Sequence, residues 1–128
     1  MPGAPHAAQT PMVPTRIALA VAGLGGLAAA LGHAPFGFWP VGFVGFAALI
    51  WAVGRSARPA RAAWIAGTAY FGITLHWIVE PFLVDAARHG WMAPFALVLL
   101  AGGLALFWAA AGGLSRRMWG PRALTFAV

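Results

Sequence analysis

The 128-residue sequence contains no cysteine and no lysine, and it has only one glutamate and one aspartate. The absence of cysteine excludes a disulfide framework, a thiolate metal site and a cysteine nucleophile within these residues. Charged residues make up 8% of the chain, against about 25% in a typical soluble domain. So few charged side chains cannot cover a water-facing surface, and the sequence therefore predicts a protein embedded in a membrane.

The residues that are present are mainly apolar, with 62% hydrophobic residues and a mean hydropathy of +0.82. The formal charge of +6 comes from arginine alone. A basic chain can bind nucleic acid, but that function needs a clustered basic face with interleaved aromatic residues. Here the arginines lie at the borders of apolar runs, where signals for membrane topology are found. We therefore expect no nucleic-acid partner.

The apolar runs predict an all-α fold, a polytopic transmembrane helix bundle of four helices plus the start of a fifth. Residues 1–15 contain four prolines and no charged side chain, so they are expected to form a disordered tail. A signal peptide is the competing interpretation of the first run, but a proline stands where cleavage would occur, which favours a retained helix. The bundle is expected to occupy residues 16–128, with helices at about 16–35, 38–53, 62–79 and 91–114 and a truncated fifth at 123–128.

The last apolar run has only six residues before the sequence stops. Because a complete membrane protein is not expected to stop inside an apolar segment, we interpret the chain as the N-terminal piece of a longer protein. Two alternatives stay open. One is a small complete membrane bundle or a transporter fragment, although no internal repeat of the transporter kind is visible. The other is a membrane scaffold without a ligand.

The arginines predict the orientation of the helices. If the segments alternate across the membrane, seven of the eight arginines lie on one side, and the positive-inside rule makes that side cytoplasmic. The N-terminus is then cytoplasmic. The turn "HAPFGFWP" and the loop "EPFLVDAARHGWMAP" face outward, to the periplasm of a Gram-negative cell. Only Arg88 lies on that outer side, opposite Arg16, Arg55, Arg58, Arg61, Arg116, Arg117 and Arg122.

The outward turn is built from aromatic residues and prolines, which suits a membrane interface. Pro35 is expected to end the first helix, because the residue before a proline is biased away from helical geometry. Pro40 fits the first turn of the second helix, where its missing N–H is not needed. The rings of Phe36, Phe38 and Trp39 are expected at the level of the lipid headgroups.

Small residues repeat every three or four positions on the first and fourth predicted helices. Lipid tails give helices no hydrophobic reason to associate, so close backbone approach along such stripes favours a compact bundle. The stripes are Ala18, Ala22, Gly26 and Ala30 on the first helix, and Gly102, Ala105, Ala109 and Gly112 on the fourth.

Polar side chains concentrate in "HWIVEPFLVDAARH". His76 and Glu80 are four residues apart, as are Asp85 and His89, with Arg88 between the second pair. These residue types can bind a metal. They can equally form a solvated polar loop, or contact a substrate or partner at an extracytoplasmic mouth. The solvated loop is the preferred interpretation, and no residue is assigned as catalytic, cofactor-binding or metal-binding.

Four polar residues inside the helices are expected to serve structure. His33 precedes the turn, where interfacial hydrogen bonding is favoured over a proton relay. Tyr70, Thr68 and Thr74 are expected to form hydrogen bonds between helices.

Three stretches together resemble the apolipoprotein N-acyltransferase family. "LGHAPFGFWPVGFVGFAALIWAV" is similar to the first periplasmic turn of that family, through Ala34, Pro35, Phe36, Trp39 and Pro40. "AAWIAGTAYFGITLHWIVEPF" resembles its third helix, and "HGWMAPFALVLLAGGLALFWAAAGGLSRRMW" resembles the following loop and long span. The resemblance covers about residues 16–128, in the family's order and spacing.

The resemblance implies a multi-pass enzyme of the cell inner membrane that acts in lipoprotein biosynthesis. Such an enzyme transfers an acyl chain from a phospholipid to the N-terminal diacylglyceryl-cysteine of an apolipoprotein, through a thioester on a cysteine. The cysteine belongs to a nitrilase-like Glu-Lys-Cys triad in a periplasmic domain. In such a triad a carboxylate activates the thiol and a lysine stabilises the oxyanion. No cofactor is implied.

The sequence departs from this family pattern in one respect. It has no cysteine and no lysine, and its only glutamate, Glu80, is expected on a membrane helix. The triad cannot be assembled from these residues, so no catalytic position is carried over. The expectation is a membrane base that is inactive alone.

Overall fold

The structure is a computed structural model that describes residues 11–119, and the regular elements within that range are all helical. Six α-helices and two short 3-10 helices follow one another within these described residues. Residues 1–10 of the predicted tail and the predicted fifth helix at 123–128 lie outside the described residues. The helices are α1 (Thr15–Leu31), α2 (Trp39–Arg55), α3 (Pro59–Thr74), a 3-10 helix (His76–Val79), α4 (Glu80–Leu83), α5 (Ala86–His89), a second 3-10 helix (Gly90–Met92) and α6 (Ala93–Trp119).

The first predicted helix ends earlier than expected. It was predicted to reach residue 35, but α1 ends at Leu31, and Gly32 donates its N–H to the carbonyl of Ala29. A tightened last turn of this kind satisfies carbonyls that have no partner further along the helix. Pro35 therefore lies within the turn, whereas Pro40 occupies the first turn of α2 as predicted.

The third predicted helix, 62–79, is shifted and broken. It begins at Pro59, where a proline suits the first helical position, and ends at Thr74. The axis then bends by 59° into the segment His76–Leu83. His76 explains the break, because its Nδ1–H donates to the carbonyl of Ile73 at 2.8 Å and supplies that group with a partner outside the helix.

The fourth predicted helix, 91–114, begins and ends later in the structure. Gly90–Met92 forms a 3-10 turn, and α6 runs from Ala93 to Trp119. Its last turn contains Arg116 and Arg117. Positive charge near a helix C-terminus is favoured by the helix dipole, which accounts for the extension past residue 114.

The long helices pack in a simple order. α1 packs against α2 and α3, and α3 packs against α6. Neighbouring α1 and α2 are antiparallel, as are α3 and α6, so the described part of the chain has two distinct ends. The turn end comprises residues 32–38 and the α3–α6 connection, residues 75–92. The arginine end comprises residues 55–58, the starts of α1 and α3 and the end of α6.

The core consists almost entirely of small residues. No large side chain among the described residues is fully buried, and Leu49 is the largest in the core, at 6% exposure. Large apolar side chains point outward instead, including Phe43 at 71% and Phe107 at 75% exposure. The predicted stripe on α1 is buried throughout, as are two members of the stripe on α6; the buried stripe residues are Ala18, Ala22, Gly26, Ala30, Ala105 and Gly112.

Glycines allow the helix axes to approach one another closely. A Cβ atom added to Gly26 would overlap the backbone of Ala66 on α3. A Cβ atom on Gly25 would lie 2.9 Å from the carbonyl oxygen of Gly45 on α2. These contacts explain why α1 occupies the centre of the arrangement, because only residues without side chains permit both neighbours to come this near.

Within residues 11–119, one helical stretch is long and apolar enough to cross a membrane, namely Ala86–Met118, which contains an 18-residue window with a mean hydropathy of 2.1. The bent pair Pro59–Thr74 and His76–Leu83 meets the same criterion when it is counted as one span. α1 and α2 have 17 residues each and are shorter apolar helices.

Candidate functional site

The turn between α1 and α2 is held by backbone hydrogen bonds. The carbonyl of His33 accepts from the N–H groups of Phe36 and Gly37, and the N–H of Phe38 donates to Leu31. Gly37 has a φ of +67°, a conformation that glycine adopts without strain. The backbone is thus satisfied internally, and the rings of Phe36, Phe38 and Trp39 are left exposed.

His33 joins α1 to α3 at the turn end. Its Nδ1 lies 3.4 Å from the carbonyl oxygen of Ala29, and its Nε2 lies 3.3 Å from the hydroxyl oxygen of Tyr70. If Nδ1 carries the proton and donates to Ala29, then Nε2 accepts from the Tyr70 hydroxyl. Both ring nitrogens have partners, which agrees with the expected role in interfacial hydrogen bonding.

Tyr70 also belongs to an aromatic cluster between α2, α3 and α6. Its ring stacks on Trp108 with centroids 5.3 Å apart and planes inclined by 25°. Phe46 contacts both rings at 5.7 and 6.3 Å, and Phe71 meets Tyr70 edge-on at 5.2 Å. Such pairs add stability beyond area burial, so the cluster fixes Tyr70 beside His33.

A small cleft opens at the turn end beside this cluster. Its volume is about 290 Å³, and its walls come from the ends of α1 and α2. His33 is its single ionisable side chain, and the remaining walls are apolar or glycine. The lining residues are Ala29, Gly32, His33, Trp39, Gly42, Phe43 and Phe46.

The α3–α6 connection contains the other polar residues that the sequence analysis singled out. His89 Nδ1 lies 4.0 Å from Asp85 Oδ2, with about half of each side chain exposed. Glu80 and Arg88 are also exposed, and His76 is bonded to Ile73. The connection is thus an exposed polar segment with one close histidine–carboxylate contact. Within residues 11–119, no three histidine, aspartate or glutamate residues are close enough to hold a metal ion.

The threonine hydroxyl groups of α3 behave differently from expectation, whereas the Tyr70 hydroxyl bonds to His33 outside its helix as predicted. Thr68 donates to the carbonyl of Trp64 and Thr74 to that of Tyr70, so both bond within their own helix. The prediction of interhelical bonds was therefore wrong for the threonines, because a backbone carbonyl four residues back is always within reach. Trp64 makes an interhelical bond instead, donating its Nε1–H to the carbonyl of Gly102 at 3.1 Å.

The sequence analysis missed a larger apolar groove, here called the α2–α6 groove. It has a volume of about 490 Å³ and lies between α2 and α6 over α3. Gly54 leaves it open, because a Cβ atom there would meet nothing within 4 Å. The small-residue stripe on α6, which includes Gly112, was the one sequence signal close to it. Its lining residues are Phe46, Leu49, Ile50, Val53, Gly54, Ala63, Trp108, Ala111, Gly112 and Ser115.

The arginine end closes one side of this groove. Arg116 donates from Nη1 to the carbonyl of Ala57, which ties α6 to the α2–α3 loop. The guanidinium of Arg55 lies 5.7 Å from the centre of the Trp51 ring, and Arg55 accepts a backbone bond from Val13. Both acidic residues of the chain lie in the α3–α6 connection, so no carboxylate side chain neutralises this end.

Comparison with known proteins identifies similar sequences. The family model described as the apolipoprotein N-acyltransferase N-terminal domain matches residues 25–128. A protein of Caulobacter vibrioides named apolipoprotein N-acyltransferase is 49% identical over 119 aligned positions, and the match covers 84% of this chain and 22% of that protein. Proteins of the same name from Rhodopseudomonas palustris and Brucella suis are each 38% identical, over 112 and 108 residues.

The regions compared differ in extent. The Rhodopseudomonas match covers 81% of this chain but only 21% of that protein. The Brucella match covers 75% of this chain but only 20% of that protein. The chain thus spans about a fifth of the length of the curated relatives it matches. No solved structure matches it significantly.

Proposed function

The chain belongs to the apolipoprotein N-acyltransferase family, and from that premise we propose that residues 16–128 form the membrane-embedded N-terminal part of such an acyltransferase. In the full-length enzyme a cysteine thiol displaces the lysophospholipid from a phospholipid ester and keeps the acyl group as a thioester. The α-amino group of the acceptor's diacylglyceryl-cysteine then displaces the thiol, so the thioester is broken, an amide is formed and the cysteine is free again. The observation that carries the proposal is the family match over residues 25–128.

The distribution of side chains supports a multi-pass arrangement. Large apolar side chains face outward along the long helices while alanine and glycine fill the interior. That distribution suits a lipid surround, where burial of large apolar groups brings no gain. α1 and α2, at 1.5 Å per residue, are each about 25 Å long, close to the roughly 30 Å of a bilayer core. We propose that α1, α2, α3 and α6 all cross the inner membrane.

The two ends of the bundle support an orientation. The arginine end carries nearly all the basic residues, so the positive-inside rule assigns it to the cytoplasm. The turn end, with its exposed aromatic rings and the α3–α6 connection, then faces the periplasm. This arrangement places the N-terminus in the cytoplasm.

The role proposed for these residues is support and lipid access. The chain has no cysteine or lysine, and Glu80 is exposed in the connection. These residues therefore supply no Glu-Lys-Cys triad and should be inactive alone. The acyl donor is a phospholipid and the acceptor an apolipoprotein, both engaged by the full-length form at the periplasmic face.

A domain exchange tests the proposal. The matching stretch of the Caulobacter relative is replaced by the corresponding residues of this chain in cells depleted of their own enzyme. Mass spectrometry of a lipoprotein N-terminus should show N-acylation with the chimera and none with the 128-residue chain alone. A stable, membrane-inserted chimera that leaves the amino group free would refute the functional equivalence.

A topology assay tests the arrangement independently of activity. A reporter active only in the periplasm is fused after Gly90 and, separately, after Arg58. Activity is expected at Gly90 alone. Activity at Arg58 alone would reverse the orientation, and equal activity at both positions would refute the alternation of spans.

A further inference from the structure

We propose that the α2–α6 groove binds one anionic phospholipid of the leaflet at the arginine end. An acyl chain lies in the groove and the phosphate lies against Arg116 at its mouth. The inference rests on the membrane-spanning arrangement proposed above, but it is independent of acyl transfer. The lipid in question is a bound structural lipid, at the end opposite the face proposed for catalysis.

The shape of the groove fits an acyl chain. On α2 the lining extends from Phe46 to Gly54, eight steps or about 12 Å along the helix axis. One leaflet of a bilayer core is about 15 Å thick, so the groove covers most of that depth. Its surface is apolar apart from Ser115, whose hydroxyl already donates to the carbonyl of Gly112. The groove therefore offers contact to a hydrocarbon chain without unpaired polar groups.

The mouth of the groove is able to bind a phosphate. Arg116 follows the groove residue Ser115 and donates to the carbonyl of Ala57, which lies three residues after the groove residue Gly54 in the α2–α3 loop. A guanidinium carries five N–H donors, and a single carbonyl does not use them all. Arginine also pairs with phosphate through two parallel hydrogen bonds, which gives directional recognition. Arg116 is thus fixed beside the groove with donors to spare.

Charge favours an anionic headgroup as the occupant. The arginine end carries six arginines among the described residues and no acidic side chain, since Glu80 and Asp85 lie at the other end. Basic pockets between transmembrane helices on the cytoplasmic side are typical sites for anionic lipids, and each arginine near a membrane surface adds to the attraction. A zwitterionic headgroup or an apolar helix would leave this charge unbalanced. The arginines are Arg16, Arg55, Arg58, Arg61, Arg116 and Arg117.

Native mass spectrometry provides the test. The full chain is released from micelles containing equal amounts of phosphatidylglycerol and phosphatidylcholine with identical acyl chains. We expect about tenfold more retained phosphatidylglycerol. Both lipids offer a phosphate to Arg116, but phosphatidylcholine also carries a choline cation, which the arginines of this end repel. Equal retention of the two lipids would overturn the proposal.

Arginine variants locate the headgroup. Arg116→Gln should reduce the phosphatidylglycerol preference several-fold, Arg116→Lys should retain most of it, and Arg88→Gln, at the turn end, should leave it unchanged. An equal loss in Arg116→Gln and Arg88→Gln would show general charge attraction and refute a site.

Glycine variants locate the acyl chain. A Cβ atom at Gly54 or at Gly103 meets no atom within 4 Å, so a side chain can start at either position without a backbone clash. Gly54 lines the groove and Gly103 does not. Gly54→Leu should lower retention of both lipids about fivefold to tenfold relative to Gly103→Leu, because it fills the groove. Equal retention in the two variants would refute the groove as the binding site.

Other occupants give different outcomes. A wild-type chain that retains neither lipid, but retains both once residues 120–128 are removed, would show that the chain's own segment fills the groove. Dimers that dissociate in Gly54→Leu would show that a second copy fills it. Either result overturns the proposal. Failure to insert into membranes would count against the multi-pass arrangement, whereas insertion without lipid preference would count against the lipid site alone.

Discussion

The small-residue interface and the α3–α6 connection hold their structure by opposite means. The interface, formed by Gly25, Gly26, Gly45 and Ala66, has no side chain larger than a methyl group and no room for one. The connection, residues 75–92, contains both acidic residues of the chain, and its charged side chains are exposed. Close backbone contact thus replaces the large buried side chains of a soluble core, while the polar residues contribute little to packing.

The difference follows from the surroundings proposed for each region, lipid for the interface and water for the connection. Between helices in lipid, stability comes from van der Waals contact, which is lost steeply when two surfaces are pushed apart. In the connection, charges face solvent and an ion pair gains little over hydration. Substitutions should therefore be costly in the first region and nearly silent in the second.

The largest effect is expected for Gly26→Val. The new side chain would overlap the backbone of Ala66, which cannot move without separating α1 from α3. We expect a loss of about 3 kcal/mol or more in the free energy of unfolding, at the upper end of overpacking costs. Unfolding in a denaturing detergent, followed by tryptophan fluorescence, measures it. Gly103→Val is the control, because a Cβ atom there meets nothing within 4 Å; equal losses in both variants would contradict close packing as the cause.

A smaller effect is expected at the α3–α6 contact. A Cβ atom on Gly112 would lie 2.9 Å from both the Ala63 Cβ and the Pro59 carbonyl oxygen, whereas one on Gly113 would lie 3.6 Å from the Ala60 Cβ. Gly112→Ala should therefore be less stable than Gly113→Ala by about 1–2 kcal/mol. Both variants share the helix propensity gain of alanine, so their difference reports packing alone. The same unfolding assay applies, and indistinguishable variants would exclude a tight contact at Gly112.

The His33–Tyr70 hydrogen bond lies where the interface meets the turn end. A double-mutant cycle with Tyr70→Phe and His33→Leu should give a coupling energy of about 0.6 kcal/mol, the average for polar pairs between membrane helices. Strict additivity of the two changes would show that the 3.3 Å contact contributes no net stability.

The smallest effect is expected in the connection. Asp85→Asn removes the partner of His89, but about half of each side chain is exposed and the atoms are 4.0 Å apart. The free energy of unfolding should change by less than about 0.5 kcal/mol. Addition of a chelator to the wild-type chain should leave the unfolding curve in place. A marked shift with chelator would instead indicate a metal bound in the connection.

Particular residues show which features of the fold can be predicted from the local sequence pattern. The period-four alanines and Gly26 predicted the buried face of α1, because small residues at helical spacing have few other uses in lipid. The predicted end of the third helix was wrong by five residues. The break depends on the hydrogen bond from His76 to Ile73, and hydropathy alone does not show whether a histidine bonds to the backbone or to water. The prediction of interhelical bonds from the threonines was wrong because the nearest acceptor for each hydroxyl lies on its own helix.

The sequence by itself determined that the chain is helical, that its apolar character suits lipid and that its charge is concentrated at one end. These properties are sums over residue types and spacings, and they need no knowledge of neighbours. Only the tertiary structure decided which helices touch, that Tyr70 stands beside His33 and Trp108, and that a groove opens between α2 and α6. Such features join residues that are far apart in the sequence, up to 69 positions in the groove, from Phe46 to Ser115. The distances between these residues depend on how closely glycine and alanine allow three helices to approach.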